Sequence, residues 1–238
     1  MIRGMMLLML LACADPLPPD CENDTETACF SGVYRTLLGG RVAGVRTCPI
    51  ELDGIDCVTS DADGGWQIPG LPLESNVLFT ASHEEYVPVL YPQHTSMDWY
   101  DWYKTAVPPW VMESNAERLG ASLQDDRGHL LFIAWEGLNI DGEDTPPVEG
   151  VSARLSTDAL LFYANGLGLA DDGATATGAL GQGGAINLPE GTYDLVLTAP
   201  AGPCVEHSFS WQMAEDGSIP VPIRAGYTTA IDVICPVP

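Results

Sequence analysis

The chain has 238 residues, 46 % of them hydrophobic, enough for one or two domains with buried cores. Asp and Glu number 33 against 9 Lys and Arg, a formal net charge of −24, and the only lysine is Lys104. A surface this negative repels phosphate backbones and anionic headgroups, which argues against nucleic-acid binding and favours cations or basic partners. The first residues, MIRGMMLLMLLACAD, place Arg3 before an apolar run from Met5 to Ala12 and then Cys13. That run is far shorter than the ~20 residues needed to span a bilayer, and its cationic start gives it the form of a secretory signal.

Leu10-Leu11-Ala12-Cys13 resembles the bacterial lipobox, in which a cysteine is diacylated on its sulfur and becomes the new N-terminus. Removal of residues 1–12 takes away Arg3 and no acid, so −24 becomes −25. Ala14 follows Cys13 where an Asp would signal inner-membrane retention, which favours the outer membrane. Residues 13–28 are acidic and proline-rich with no apolar period, the composition of a flexible tether.

With Cys13 set aside, six cysteines remain: Cys21, Cys29, Cys48, Cys57, Cys204 and Cys235. An even count behind an export signal reads as disulfides, and no C-x-x-C pair favours zinc. Six cysteines allow 15 pairings. Locality ranks Cys48 with Cys57, Cys204 with Cys235 and Cys21 with Cys29 first.

Short β-type runs between Gly, Pro and Asp clusters dominate. They are 30–38, 42–52, 55–60, 66–68, 77–83 and 87–91, then 129–136, 151–156, 174–177, 193–198, 205–213, 219–224 and 228–235. Between the two sets, residues 109–123 carry an early proline and apolar Val111, Met112, Ala116, Leu119 and Leu123 at helical spacing, which predicts one short helix. Regularly spaced short strands indicate β-sandwiches.

The halves echo each other. Gly44-Val45, a threonine strand, Asp63-Gly64, Trp66-Gln67-Ile68 and Leu71-Pro72 lead to Leu78-Phe79-Thr80-Ala81; Gly150-Val151, Thr175-Ala176-Thr177, Gly183-Gly184, Ala185-Ile186-Asn187 and Leu188-Pro189 lead to Val196-Leu197-Thr198-Ala199. The second copy carries the longer stretch LLFYANGLGLADDG. This order reads as a degenerate duplication.

The stretch TSDADGGWQIPGLP, followed by NVLFTASHEEYVPVLYP, resembles the carboxypeptidase regulatory-like domain, a transthyretin-like sandwich of bacterial surface proteins. The matching pieces are Gly44-Val45, Thr59, Asp61 to Gly64, Trp66 to Ile68 and Leu71-Pro72, within about residues 30–93. Glu74-Ser75-Asn76-Val77 departs from the family's Gly-x-Tyr, which the second half carries within GGAINLPEGTYDLVLTAP. The resemblance implies a fold and a surface setting without implying catalysis.

Chemistry is sparse. None of His83, His94, His129 and His207 has a Glu three residues on, as a zinc carboxypeptidase site requires. Gly120-Ala121-Ser122-Leu123-Gln124 lacks the second glycine of a serine-hydrolase elbow. The glycine run 178–184 lacks the P-loop Lys-Ser/Thr and reads as a hairpin loop. Asp61 and Asp63 are the low-ranked metal candidates for Ca2+; the third acid of a calcium loop is missing, so the turn is the preferred reading. The aromatics Trp99, Tyr100, Trp102, Tyr103 and Trp110 are either ligand-binding or glue between the halves, with glue preferred.

The expectation is an all-β protein of two tandem transthyretin-like or Ig-like β-sandwiches joined by a linker with one short helix. Its segments are a lipoprotein signal at 1–12, a tether at 13–28, a sandwich at 29–95, an aromatic linker at 96–128 and a second sandwich at 129–238. No catalytic residue and no cofactor is expected. The function read from the sequence is a non-enzymatic, lipid-anchored envelope protein, structural, adhesive or partner-presenting. Its expected partners are the membrane, through Cys13, and an envelope protein or polysaccharide. The alternatives are a carbohydrate-binding module using the linker aromatics and an accessory domain of a separate peptidase.

Overall fold

The structure, a computed structural model, describes residues 26–96, 99–137, 145–206 and 211–237. Seven strands precede the helix: β1 (Thr27–Arg35), β2 (Arg46–Ile50), β3 (Val58–Thr59), β4 (Gly65–Pro72), β5 (Asn76–His83), β6 (Tyr86–His94) and β7 (Trp99–Thr105). After α1 (Pro109–Arg118) come β8 (Gly128–Trp135), β9 (Ser152–Leu155), β10 (Leu160–Tyr163), β11 (Gln182–Leu188), β12 (Gly191–Ala199), β13 (Gly202–Pro203), β14 (Val205–Glu206), β15 (Ile219–Ile223) and β16 (Thr228–Ile234). The protein is all-β with one short helix among the described residues, as its strand pattern predicts.

Two cores lie between layers of strands. The first gathers Phe30, Tyr34, Trp66, Ile68, Phe79 and Tyr91 between the sheet β4-β1-β7 and strands β2, β5 and β6. The second gathers Leu130, Phe132, Leu195, Val221, Ile231 and Val233 between β11-β8-β16 and the sheet of β9, β12, β13 and β15. Buried and exposed residues alternate along β2, β12 and β16, which puts one face of these strands inward, whereas β1, β6 and β11 carry longer buried runs.

The same hydrogen-bonded clasp recurs in the two halves. In the first repeat the Val45 N–H donates to Ser60 Oγ at 2.9 Å, and that hydroxyl donates to the Val42 carbonyl at 2.9 Å. In the second, the Val151 N–H donates to Thr177 Oγ1 at 2.9 Å, and Thr177 Oγ1 donates to the Val148 carbonyl at 2.8 Å. Gly44 and Gly150, at φ 80° and 84°, turn the chain between these partners. Residues 174–177 form no strand, yet Thr177 performs the role of Ser60. In each repeat the first strand is the centre of a trio, antiparallel to one neighbour and parallel to the last strand: β4-β1-β7 and β11-β8-β16.

The register corrects the expected echo. Trp66 stands opposite Gly32 on β1, and Gly183 opposite Phe132 on β8, so Gly183-Gly184-Ala185, not Ala185-Ile186-Asn187, matches Trp66-Gln67-Ile68. Leu71-Pro72 and Leu188-Pro189 keep their match, since Leu71 faces Ala28 and Leu188 faces Gly128 past a bulge in both repeats. Bulk has exchanged across the strand pair. A Cβ on Gly183 would lie 2.5 Å from Phe132 Cζ, so the glycine here is required by packing. The glycine run expected to be a hairpin loop therefore enters β11 at Gln182.

The stretch expected to be a linker contributes a strand. Residues 99–105 form β7, parallel to β1 with Tyr34 opposite Lys104 and Arg35 opposite Thr105. The helix starts at Pro109, which offers no N–H that would need a partner there, and ends at Arg118, short of the expected Leu123, with Gly120 at φ 69° closing it. Its Met112 and Ala116 pack on Phe162, Ala170 and Ile186, so α1 covers the insertion LLFYANGLGLADDG that the second repeat alone carries.

One sheet runs through both repeats. Its order is β10-β11-β8-β16-β6-β5-β2-β3, with Thr228 and Thr229 of β16 paired in parallel to Val89 and Leu90 of β6. The last strand of the second repeat thus docks edge-on against the first repeat. Ile231 and Val233 of β16 enter the second core while Ala230 packs against the first.

Candidate functional site

The chemistry-bearing side chains collect at the seam between the repeats. Lys104 of β7 is 6 % exposed, and its Nζ donates to Asp232 Oδ2 at 3.1 Å. The other oxygen of Asp232 accepts the indole N–H of Trp135 at 3.0 Å. Lys104 Nζ also stands 4.8 Å from the centre of the Tyr91 ring, a cation–π distance. Burial lowers the Lys104 ammonium below its usual range, opposed by the charge and hydrogen bond of Asp232. Burial is also the main cause that raises Tyr91, with the negative field of Asp232 adding to it.

Further bonds run between the repeats. Arg224 pairs with Glu51. The Trp211 indole N–H donates to the Val77 carbonyl at 3.3 Å, and Gln212 Nε2 meets His94 Nε2 at 3.2 Å. His94 Nδ1 is held at 2.9 Å by Asn76 Oδ1, and Glu74 reaches its Nε2 at 3.5 Å. The helix adds the buried Asn115, whose Oδ1 accepts the Ala170 N–H at 2.8 Å. Asn187, at φ 57°, ties β11 to the loop after α1 by donating to the Ser122 carbonyl and accepting from the Gln124 N–H.

The sequence-derived candidates fall in different places. Cys48 and Cys57 form a disulfide, as do Cys204 and Cys235. Cys29 is also disulfide-bonded. Cys13 and Cys21 lie outside the described residues. Asp61 Oδ1 accepts the N–H groups of Asp63 at 2.9 Å and Gly65 at 2.8 Å, so this carboxylate is engaged in closing its own turn. The equivalent turn of the second repeat, with Gly181 N–H on the Gly178 carbonyl, closes without an acid. Among the described residues, no group of three His, Cys, Asp or Glu side chains comes together.

Of the aromatics, Trp99, Tyr100 and Trp102 are held in β7 by their backbone, and their side chains lie outside the described set. Tyr103 is 53 % exposed, with the Arg35 guanidinium 3.8 Å above its ring; Trp110 is 51 % exposed on the first turn of α1. The site that sequence reasoning missed is Lys104 and Asp232. Lys104 falls inside the first sandwich, although its position in the expected linker placed it outside both. A single lysine in so acidic a chain is the signal that marks it.

No protein-family model matches the chain, and no curated protein matches it either. Some solved structures overlap it weakly. The Bacillus anthracis TIE protein overlaps at TM-score 0.27 and 11 % identity, over 88 % of this chain and 34 % of its own. A streptococcal ancillary pilin overlaps at 0.26 and 14 %, over 89 % and 63 %. The shaft pilin spaA from Lactobacillus rhamnosus GG overlaps at 0.27 and 11 %, over 89 % and 98 %. The chain thus spans about a third of the first and under two thirds of the second. Overlaps at this level carry no functional argument, and the case for function rests on the chain's own residues.

Proposed function

We propose that this chain is an exported, lipid-anchored envelope protein whose two interlocked sandwiches present a stiff surface to an envelope protein or polysaccharide. The observation that carries the reading is the continuous sheet between the repeats, pinned by the pair of buried Lys104 and half-buried Asp232. Such a seam spends polar chemistry on holding two domains in one orientation, where an enzyme would aim it into a cleft. Disulfides Cys48–Cys57 and Cys204–Cys235 fit an oxidising compartment outside the cytosol. The lipobox-like Leu10 to Cys13 supplies the anchor, with the outer membrane as the site, and residues 13–28 the leash.

The test is fractionation of cells producing the wild type and Cys13→Ser. The wild type partitions with membranes and its mature chain begins at an acylated Cys13; Cys13→Ser stays unprocessed. Equal processing of the two chains, with equal partition into detergent, removes the anchor. A second reading, glycan binding, has one observation in its favour: Tyr103 and Trp110 each show about half their surface. A glycan array on which Trp110→Ala and Tyr103→Ala leave every hit unchanged removes it.

A further inference from the structure

The loop between β1 and the Val42 clasp is the most apolar protrusion among the described residues. Leu38 is 98 % exposed and Leu37 51 %. Neither is presented by a slack segment: the Thr36 N–H donates to the Gly40 carbonyl at 2.7 Å, the Gly39 N–H to the Thr36 carbonyl at 2.9 Å, and the Gly40 N–H to Thr36 Oγ1 at 3.0 Å. Arg35 and Arg41 pair across its base, and Tyr103 lies under Arg35. From Thr27 to Ile50 the chain has three arginines, Arg35, Arg41 and Arg46, and no acid, although acids outnumber cations 33 to 9 in the whole.

We infer that this loop is a membrane-docking tip, with Leu37 and Leu38 entering the bilayer and Arg35 and Arg41 meeting lipid phosphates. The inference rests on the anchored reading above, which brings the bilayer within reach. Thirteen residue steps from Cys13 to Glu26 extend to at most ~45 Å, while β1, whose far end carries the loop, is ~30 Å long. The fold can therefore lie against the membrane that holds its lipid. An apolar tip with a cationic and aromatic collar matches the layered bilayer interface. The loop's own hydrogen bonds mean that little ordering is lost on insertion. Asp61 and Asp63 lie in the turn beside the loop base, where the Tyr34 N–H donates to the Gly64 carbonyl, and they limit contact to the tip. With the mature chain's net charge of −25 repelling anionic surfaces at range, the leucines carry the binding and a neutral bilayer suffices.

The experiment uses the mature chain, 13–238 with Cys13→Ser, exported behind an ordinary cleavable signal, so that no lipid contributes. It is sedimented with phosphatidylcholine vesicles. Leu37→Ser with Leu38→Ser is expected to lower the partition coefficient ~10-fold or more, from the apolar area withdrawn. Leu167→Ser, the same change at a residue 81 % exposed in the second repeat, is expected to leave it unmoved. Equal thermal melts show that all three chains are folded. Absence of wild-type sedimentation at saturating lipid, or equal sedimentation of the tip variant, overturns the inference. So does gel filtration in which the tip variant alone loses a dimer, since the leucines would then serve a second copy. Acylation of Cys13, read by mass on the unaltered protein, stands or falls separately.

Discussion

Replacing Asp232 with alanine tests the seam most sharply. Lys104 is 6 % exposed, and the change deprives its ammonium of the carboxylate 3.1 Å away. Breaking a fully buried pair costs ~3–5 kcal/mol. The Asp232 side chain is 27 % exposed, which places the expected loss at the lower end. About 3 kcal/mol is a ~150-fold fall in the folded-to-unfolded ratio, and with a urea slope of ~2–3 kcal/mol/M the midpoint drops by ~1 M. Lys104→Met behaves differently: a methionine fills the same space without a charge, and Asp232 keeps the Trp135 indole and partial contact with water. Its stability stays within ~1 kcal/mol of the wild type or rises. The two variants are compared by urea melts at neutral pH, monitored by tryptophan fluorescence. Equal destabilisation by both, or a loss under ~0.5 kcal/mol for Asp232→Ala, refutes the buried-pair reasoning.

Alkali destabilises the protein through Tyr34 and Tyr91. Burial raises both hydroxyls in the folded state, so above the unfolded value of 10.0 the folded chain binds more protons and stability falls with pH. Two such groups give a slope that approaches ~2.7 kcal/mol per pH unit once the unfolded hydroxyls are fully ionised, and Tyr34→Phe halves it in chemical melts between pH 11 and 12. Burial lowers His129, so the stability it contributes is present above 6.5 and declines as pH falls below that value; His129→Gln flattens this part of the profile. Ser60→Ala and Thr177→Ala each remove a donor and an acceptor from equivalent buried clasps, and each costs ~1–3 kcal/mol in the same melts, whereas Thr177→Ser is tolerated. Gly183→Ala is destabilising because its Cβ meets the Phe132 ring and the Phe162 carbonyl, and adding Phe132→Leu restores part of the loss; no rescue means that the ring contact is not the main cause.

Much of the fold is local and therefore legible in sequence. Short β-type runs between Gly, Pro and Asp clusters mark most strands, Pro109 marks the helix start, and proximity in sequence ranks Cys48–Cys57 and Cys204–Cys235 first. What escapes is non-local. β7 and β16 pair in parallel with strands far away along the chain, and no turn motif announces such a partner. The shared sheet depends on two residues of β16 meeting β6 across repeats. The exchange of bulk between Gly32–Trp66 and Phe132–Gly183 hides the true register, because the pair conserves volume while neither position does. For the site, the acids of TSDADGGWQIPGLP attract attention to a turn in which the Asp61 carboxylate serves to hold the backbone. Lys104 is passed over because its burial follows from strand pairing alone.

If the repeats act as one stiff body, they unfold as one. Calorimetry of the mature protein with its disulfides intact measures this directly. The seam predicts a single transition whose calorimetric and van't Hoff enthalpies agree, shifted down in temperature by Asp232→Ala. Two separable transitions in the wild type, of which Asp232→Ala moves neither, contradict it.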